Sequence, residues 1–330
     1  MAYKTSNTTV IDSADGVIFK EVIVGVNHTT LTSIAQSTDF GYAIGGYLHP
    51  PYTGYSKVEK FPFATATTDA TNVGDLLTAA GYGQASSRSF THCYVAGGQN
   101  PLSTDRNNIE KFPSSADASA SDVGDLTQGG INTGNTDLLG GHGYASGRYT
   151  VPGAAANTID KFPFATDENA SDVGDLTQAR GYVAGQSSTT HGYVSGGFTT
   201  SSSNIIDKFP FSTDENASDV GDLTQARHSV SGTSSSTHGY TEGGYIYPGG
   251  TYPNILDKFS FASDGNATDV GDMTITKSAR GGVSSMTHGY HTGGSPGTNT
   301  IDRYPFAVDE NATDVGNLST PTVNGSGNQG

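Results

Sequence analysis

The chain of 330 residues is poor in several residue types on which common folds and sites depend. It has one cysteine, Cys93, and no tryptophan. A single thiol excludes an intramolecular disulfide framework and a zinc cluster built on cysteines, and we expect Cys93 to be a small structural residue in a strand. No run of about 18 apolar residues occurs, so no membrane-spanning helix is predicted.

Basic residues are also scarce. Lys and Arg number 16 against 32 Asp and Glu, which gives a formal net charge of −16. Binding to nucleic acid requires clustered basic side chains that displace counterions, so this balance argues against a nucleic-acid partner. It argues equally against an anionic membrane surface. The first nine residues lack an apolar core segment, and no secretory signal is predicted.

The sequence is dominated by an internal repeat of about fifty residues, a length typical of propeller blades. One copy contains His191-Gly-Tyr-Val-Ser-Gly-Gly197, then Ile206-Asp-Lys-Phe-Pro-Phe211, then Val220-Gly-Asp-Leu223. Each copy is interpreted as four strands, with the small residues of 181–187 nearest the axis. The copies are marked by Tyr42, Tyr94, Tyr144, Tyr193, Tyr240 and Tyr290. The prediction is an all-β, six-bladed β-propeller.

The predicted domain boundaries are an N-terminal arm at 1–30 with one strand, a propeller at 31–320 and a C-terminal tail at 321–330. Blade 1 is expected to take its first strand from residues 31–35, so that the ring closes without strand exchange. Three alternatives are open. The arm and the tail build a seventh, composite blade, the two form a clasp, or the arm reaches a neighbouring subunit.

The motifs resemble the kelch repeat, in which a double glycine ends a strand and an aromatic and a tryptophan follow. Gly196-Gly197 and Phe209 fit this pattern, whereas Val220 stands where kelch repeats have tryptophan. The recurring Asp-Glu-Asn-Ala-Ser/Thr-Asp-Val-Gly-Asp-Leu also resembles repeat proteins encoded by marine bacteriophages. This resemblance implies a divergent kelch-like propeller that is a virion or tail-associated component.

The loops between the second and third strands differ most between copies, and several are aromatic. Variable loops on a rigid scaffold commonly bind partners, and tyrosine suits contacts with protein or glycan. The alternative is ordinary packing of Pro and Tyr within loops. The candidate contact residues are Tyr47, His49, Tyr52, Tyr55, Arg148, Tyr149, Tyr245, Tyr247 and Tyr252.

Three other polar patterns recur in most copies, and each is interpreted as structural. Turns such as Asp167–Asp172 suit Asx-type capping, with Ca²⁺ binding as the alternative. The repeated histidines, such as His191, are expected to bond a backbone group within their own blade, with a metal site as the alternative. Acid–base pairs such as Asp207-Lys208 are expected to bridge to the two flanking blades, because successive strand residues face opposite ways.

These features predict a non-enzymatic structural or adhesion module of a bacteriophage particle, located in its tail, a fibre or its surface. Its predicted partners are other virion proteins or a host-surface glycan, within a homo-oligomeric or symmetric assembly. No catalytic residue, metal site or cofactor is assigned, and localisation to the virion is expected. The alternatives are a carbohydrate-active or oxidising propeller enzyme and a cellular, cytoplasmic kelch-like scaffold.

Overall fold

A computed structural model describes residues 40–48, 53–63, 69–79, 81–100, 104–150, 153–278, 281–295, 297–323 and 326–329. These residues form six antiparallel four-stranded sheets, which are the blades of a β-propeller, together with one two-stranded hairpin. The predicted fold class is confirmed. The expected N-terminal arm and its strand lie outside the described residues. The described ranges contain no helix with the length and apolar character needed to cross a bilayer.

The strands of each blade are given from the axis outward. Blade 1 contains Ser326–Gln329, Phe40–Ile44, Lys57–Pro62 and Thr71–Asp75. Blade 2 contains Ala85–Arg88, His92–Ala96, Asn108–Pro113 and Ser121–Asp125. Blade 3 contains Ile131–Asp137, His142–Thr150, Ala154–Pro163 and Ser171–Asp175. Blade 4 contains Ala184–Ser187, His191–Ser195, Ile205–Pro210 and Ser218–Asp222. Blade 5 contains Ser231–Ser234, His238–Glu242, Ile255–Ser260 and Thr268–Asp272. Blade 6 contains Gly281–Ser284, His288–Thr292, Thr298–Pro305 and Thr313–Thr322. The hairpin pairs Tyr47–Leu48 with Thr53–Gly54.

The hydrophobic core is divided into six clusters, and each cluster lies between two adjacent blades. Ile206 faces blade 5, whereas Phe209 on the same strand faces blade 3, because successive strand residues point to opposite faces. The ring of Phe209 crosses Gly192, where an added Cβ would approach its Cζ to 2.3 Å. Glycine at this position therefore allows the aromatic core to form.

The ring closes differently from the expectation that blade 1 would use residues 31–35. The innermost strand of blade 1 is the C-terminal segment Ser326–Gln329, which pairs antiparallel with Phe40–Ile44. Innermost strands of neighbouring blades contact one another around the whole circle. A seventh blade therefore has no place in the ring. The tail acts as the clasp, because it pairs a strand from the end of the described chain with the first described strand.

The acid–base pairs of the third strands bridge to both flanking blades, which confirms that expectation. In blade 4, the carboxylate of Asp207 accepts bonds from the Thr177 amide at 3.0 Å and hydroxyl at 2.6 Å, at the end of blade 3. The adjacent Lys208 faces the other way, and its Nζ lies 2.5 Å from Oδ1 of Asp264 in blade 5. Equivalent carboxylate contacts with the preceding blade are made by Glu59, Glu110, Asp160, Asp257 and Asp302.

Removal of the clasp is expected to destabilise the propeller. A chain that ends at residue 323 loses the ladder to Phe40–Ile44, and each lost backbone bond contributes about 0.5–1.5 kcal/mol net. The urea midpoint of this truncation should fall clearly below that of a control lacking only residue 330. Equal midpoints for the two chains would contradict closure through the C-terminal strand.

The two neighbouring members of one acid–base pair should differ in their contribution to stability. Asp207→Ala leaves the buried guanidinium of Arg180 without its carboxylate and should lower the free energy of unfolding by about 3–5 kcal/mol. Lys208→Ala removes an ion pair whose Asp264 side chain is 57% exposed, and should cost about 0–1 kcal/mol. Urea denaturation of both variants tests this, and similar losses for the two would refute the assignment.

Candidate functional site

The loops between second and third strands meet the inter-blade connections at one end of the axis. Together they line a cavity of about 310 Å³, which we call the aromatic mouth. Its described lining consists of Tyr82, Tyr149, Tyr182, Phe198, His228, Ser229, Ser278 and Ser295. These residues come from blades 2 to 6 and their connections, so the mouth surrounds the propeller axis.

The aromatic rings of the mouth form a continuous arc. Tyr149 lies 5.1 Å from Tyr182 between ring centroids, and Tyr182 lies 6.0 Å from His228. Phe198 contacts His228 at 4.7 Å and Tyr149 at 6.0 Å. These tilted and edge-on separations are those at which aromatic pairs attract one another. The rings of the mouth therefore pack against one another.

The mouth is uncharged near neutral pH. Burial among the rings lowers the pKa of His228 to about 4, and its Nδ1 lies 3.0 Å from the hydroxyl of Ser202. Burial also raises the pKa of Tyr182 to about 12, so its hydroxyl stays protonated. The described lining contains no Asp, Glu, Lys or Arg. The mouth therefore offers ring faces and neutral hydroxyl groups.

Two residues of the mouth hold a backbone conformation that favours glycine. Tyr182 and Ser229 have φ of 55° and 52°, and the equivalent position in blade 2 is Gly83, with φ of 43°. A left-handed conformation at a non-glycine residue costs about 1–3 kcal/mol and persists only where the surroundings enforce it. The Tyr182 carbonyl accepts a bond from the Ser229 amide at 2.9 Å, which joins the two positions.

A polar axial cavity of about 190 Å³ begins where the mouth ends. Gly83, Val183 and Val230 line it, and each follows directly after a residue of the mouth. Below them the wall consists mainly of glycine, serine, threonine and side-chain amides, and it includes the buried side chain of Arg88. Gln84 is 5% exposed, and neither polar atom of its amide has a hydrogen-bond partner within the described part of the chain.

Some predicted contact residues belong to this face. Tyr149 lines the mouth, and Tyr47 packs on Tyr82 with centroids 4.5 Å apart. Tyr245 lies 5.4 Å from the ring of His228. The two most exposed members are Tyr247, which contacts Phe198 at 5.9 Å, and Tyr252, which contacts Tyr245 at 4.8 Å. They form an outer rim and are 49% and 41% exposed.

Other predicted residues do not join the mouth. Tyr55 is half-buried beside Lys57, whose Nζ lies 5.6 Å from the ring centroid. Arg148 packs over Gly130, and the nearby carboxylates of Asp105 and Asp160 partly offset the lowering of its pKa by burial. His49 and Tyr52 lie outside the described residues. The predicted set therefore contains rim and packing residues as well as one residue of the mouth.

The sequence analysis missed Tyr82, Tyr182, Phe198, His228 and Gln84. Tyr182 falls within the small-residue segment at 181–187 that is predicted as a first strand. No role is predicted for Tyr82 and His228, which lie in the connections from one blade to the next. A usable signal existed in the register of the blades. Tyr82, His228 and Ser278 occupy equivalent bridge positions, opposite Gln99, Tyr245 and Ser295. This position differs from copy to copy although the flanking strands are nearly identical.

The repeated polar motifs have structural partners. His191 bonds through Nδ1 to the hydroxyl of Thr190 at 2.8 Å, so its partner is a side chain rather than the predicted backbone group. The turn residue Asn216 accepts a bond from the Asp175 amide of the preceding blade, and Asp219 caps Gly221 within its own strand. No group of three His, Cys, Asp or Glu in the described ranges is placed to hold a metal ion. Cys93 is buried in the cluster between blades 1 and 2, as expected for a structural residue.

One buried cluster breaks the pattern of the blade interfaces. Between blades 5 and 6, Oε1 of Glu242 accepts a bond from the Tyr304 hydroxyl at 2.5 Å and lies 3.0 Å from Nε2 of His291. Thr233 bonds to both Glu242 and Tyr304. Burial and the carboxylate raise the pKa of Tyr304. His291 is 0% exposed and Glu242 is 1% exposed, so these groups contact protein rather than solvent.

The same positions between blades 4 and 5 hold a neutral set. Gln186 donates to the hydroxyls of Ser195 and Thr241, both at 3.0 Å, and phenylalanine stands in place of Tyr304. The Glu242 cluster is therefore a local replacement of one inter-blade network by another. This arrangement explains why acidic and aromatic hydroxyl groups are tolerated at the core of the ring.

No protein-family model matches this chain, and comparison with curated proteins also finds no match. The six-bladed propeller itself is compatible with a kelch-like architecture. The propeller fold indicates a general role in interaction, and the residues of the mouth and its rim are the candidates for that role.

Conversion of the Glu242 cluster into its neutral counterpart should preserve stability. Tyr304→Phe alone removes a charge-assisted bond to a buried carboxylate and should cost about 1.5–3 kcal/mol. Adding Thr233→Gln, Glu242→Ser and His291→Thr reproduces the blade 4–5 network and should restore the free energy of unfolding. Urea titration compares the two variants, and a fourfold variant less stable than Tyr304→Phe would rule out equivalence of the networks.

Proposed function

We propose that this protein is a non-enzymatic structural and adhesion module of a bacteriophage particle, located in its tail, a fibre or its surface. The observation that carries the proposal is the aromatic face, where mouth and rim concentrate at one end of the axis. Tyr247 and Tyr252 present amphipathic rings to solvent there. Such rings give large contact area at low entropic cost, which suits a partner protein or a host-surface glycan.

The opposite end of the axis carries exposed apolar side chains, which supports a role in which the protein contacts a different partner through each face. Phe90 and Met286 lie at the tips of the turns between first and second strands, where blade 4 has Thr189. They are 62% and 52% exposed, and Leu139 in blade 3 is 50% exposed. Large exposed apolar side chains mark interaction surfaces when several share one face. In the proposed role, this face joins other virion proteins in a symmetric assembly and the aromatic face points outward.

The buried charges support a non-enzymatic role. Asp207 and Arg180 neutralise each other at the blade interface, whereas Glu242 accepts a bond from Tyr304 and lies 3.0 Å from His291 inside the ring. A catalytic acid or base needs access to substrate. We therefore assign these groups to the ring, and the proposed function requires no cofactor.

Particle context provides the first test of the proposal. Antibodies raised against the recombinant chain should detect it in purified particles of a phage that encodes it, in a fixed ratio to the major structural proteins. The measurement is quantitative immunoblotting of particles purified by density gradient. Detection in the lysate of infected cells but not in purified particles would overturn the virion assignment.

Variants of the two faces test their separate roles. Tyr247→Ser with Tyr252→Ser should leave incorporation into particles unchanged and slow adsorption to host cells about tenfold, since interfacial tyrosines commonly contribute more than about 1 kcal/mol each. Phe90→Thr with Met286→Thr copies the turn of blade 4 and should instead lower incorporation.

Val308→Ser is the matched control for the Tyr247 and Tyr252 pair, because it removes an exposed apolar side chain at the opposite end of the axis. Val308 lies in a turn between third and fourth strands and is 50% exposed, so its loss removes a comparable apolar surface. Wild-type incorporation and adsorption in both double variants would refute the assignment of roles to the faces.

A further inference from the structure

The aromatic mouth and the axial cavity below it form one site with three unusual properties. Its entrance is made of ring faces, the described lining of that entrance contains no charged side chain, and a buried amide below it lacks a partner. The protein as a whole carries a net charge of −16, so an uncharged entrance is not a consequence of composition. Ligand pockets commonly combine apolar walls with a few polar groups that fix orientation.

Gln84 is one of the buried polar groups of the axial cavity that have no hydrogen-bond partner among the described residues, together with Ser86, Ser231 and Ser326. Buried side-chain amides are nearly always bonded, and one left without partners is costly. The equivalent position holds Val183 in blade 4 and Val230 in blade 5, both buried. Packing of the ring therefore does not require glutamine here. An amide at this position is explained by a hydrogen-bonding ligand or by water in the axial cavity.

The strained residues also belong to the site. Tyr182 holds its left-handed backbone although glycine stands at the equivalent position of blade 2. The conformation places its ring between Tyr149 and His228. A strained backbone conformation that is kept at a cavity residue despite its free-energy cost is typical of functional positions.

We propose that the aromatic mouth binds a neutral hexopyranose, the terminal sugar of a glycan. The apolar C–H face of the sugar stacks on the ring of Tyr182, and its hydroxyl groups bond to Ser229, Ser278 and the amide of Gln84. This inference rests on the proposed function, in which a host-surface glycan is one of two partner classes.

Size and charge favour a sugar over the other ligand classes. The mouth, at about 310 Å³, lies at the lower limit of small-molecule pockets, which suits one or two rings rather than an extended peptide. A carboxylated sugar would enter an uncharged mouth of an acidic protein, and the cation Arg88 lies below it, at the far end of the first strand of blade 2. A neutral pyranose matches both the apolar rings and the hydroxyl-rich opposite wall.

The test is titration of the full recombinant chain with methyl glycosides of glucose, galactose and mannose, followed by saturation-transfer and chemical-shift NMR. At least one should bind, whereas glucuronic acid should bind at least about tenfold more weakly, which corresponds to about 1.4 kcal/mol. Affinity should be unchanged between pH 8 and pH 6, because His228 stays neutral throughout that range.

Two matched variants locate the site. Gln84→Val copies blades 4 and 5, and Tyr182→Gly copies blade 2. Both should fold with urea midpoints at or above that of the wild type, because the first removes an unbonded buried amide and the second relieves a left-handed backbone. Each should weaken binding of the best glycoside by at least about tenfold. Val308→Ser, in a turn at the opposite end of the axis, should leave that affinity unchanged.

Four results would overturn the inference. They are no binding of any neutral glycoside by the folded chain, tighter binding of glucuronic acid, wild-type affinity in both mouth variants, or displacement of the sugar by a Tyr- and Pro-rich peptide that binds more tightly. Detection of the chain in particles without sugar binding would reject this site and retain the virion role. Sugar binding by a chain that is absent from particles would retain this site and reject the virion role.

Discussion

The carboxylate of the third strand is the interaction on which the ring depends. In blade 4, Asp207 holds the end of blade 3 through Thr177 and is held in turn by the buried guanidinium of Arg180. A comparable acid binds the preceding blade in every blade. Each blade has two apolar faces that water would otherwise contact, so its neighbours must be fixed on both sides. These carboxylates set the spacing at which the aromatic clusters between blades can close.

This constraint separates the residues that build the ring from those that are free to vary. The strand positions of Ile206, Phe209 and Asp207 are each fixed by a partner in a neighbouring blade. Residues beyond the strand ends at the axis are not fixed by a partner of this kind in a neighbouring blade. Tyr82, His228 and Ser278 hold equivalent bridge positions yet differ in size and polarity. The asymmetry of the mouth therefore arises on a frame that is nearly symmetric.

The sequence was sufficient to predict the blades because the repeat carries its own register. The periodic tyrosines, the glycine before five of the six and the proline that ends five of the six third strands predict the strand order and the bridging of Asp207 and Lys208. Closure could not be predicted this way, since Ser326–Gln329 follows the last copy of the repeat and is recognised as a first strand only by its pairing. Most residues of the mouth could not be predicted for the same reason. Tyr182, Phe198 and His228 lie close together along the sequence, but only the geometry of the ring shows that they surround one axis.

The composition of the mouth follows from its position between two different environments. Towards solvent, rings such as Tyr149 and Phe198 pack on each other and shield the axis. Towards the interior, first strands carry small residues because they crowd together, and this leaves polar groups such as Gln84 facing a narrow cavity. The aromatic residues of the mouth come from blades 2 to 5 and their connections, and Ser278 and Ser295 complete the lining beside blade 6. One wall is thus apolar and the other carries hydroxyl groups, so a ligand complementary to the whole mouth needs one apolar face and one polar edge.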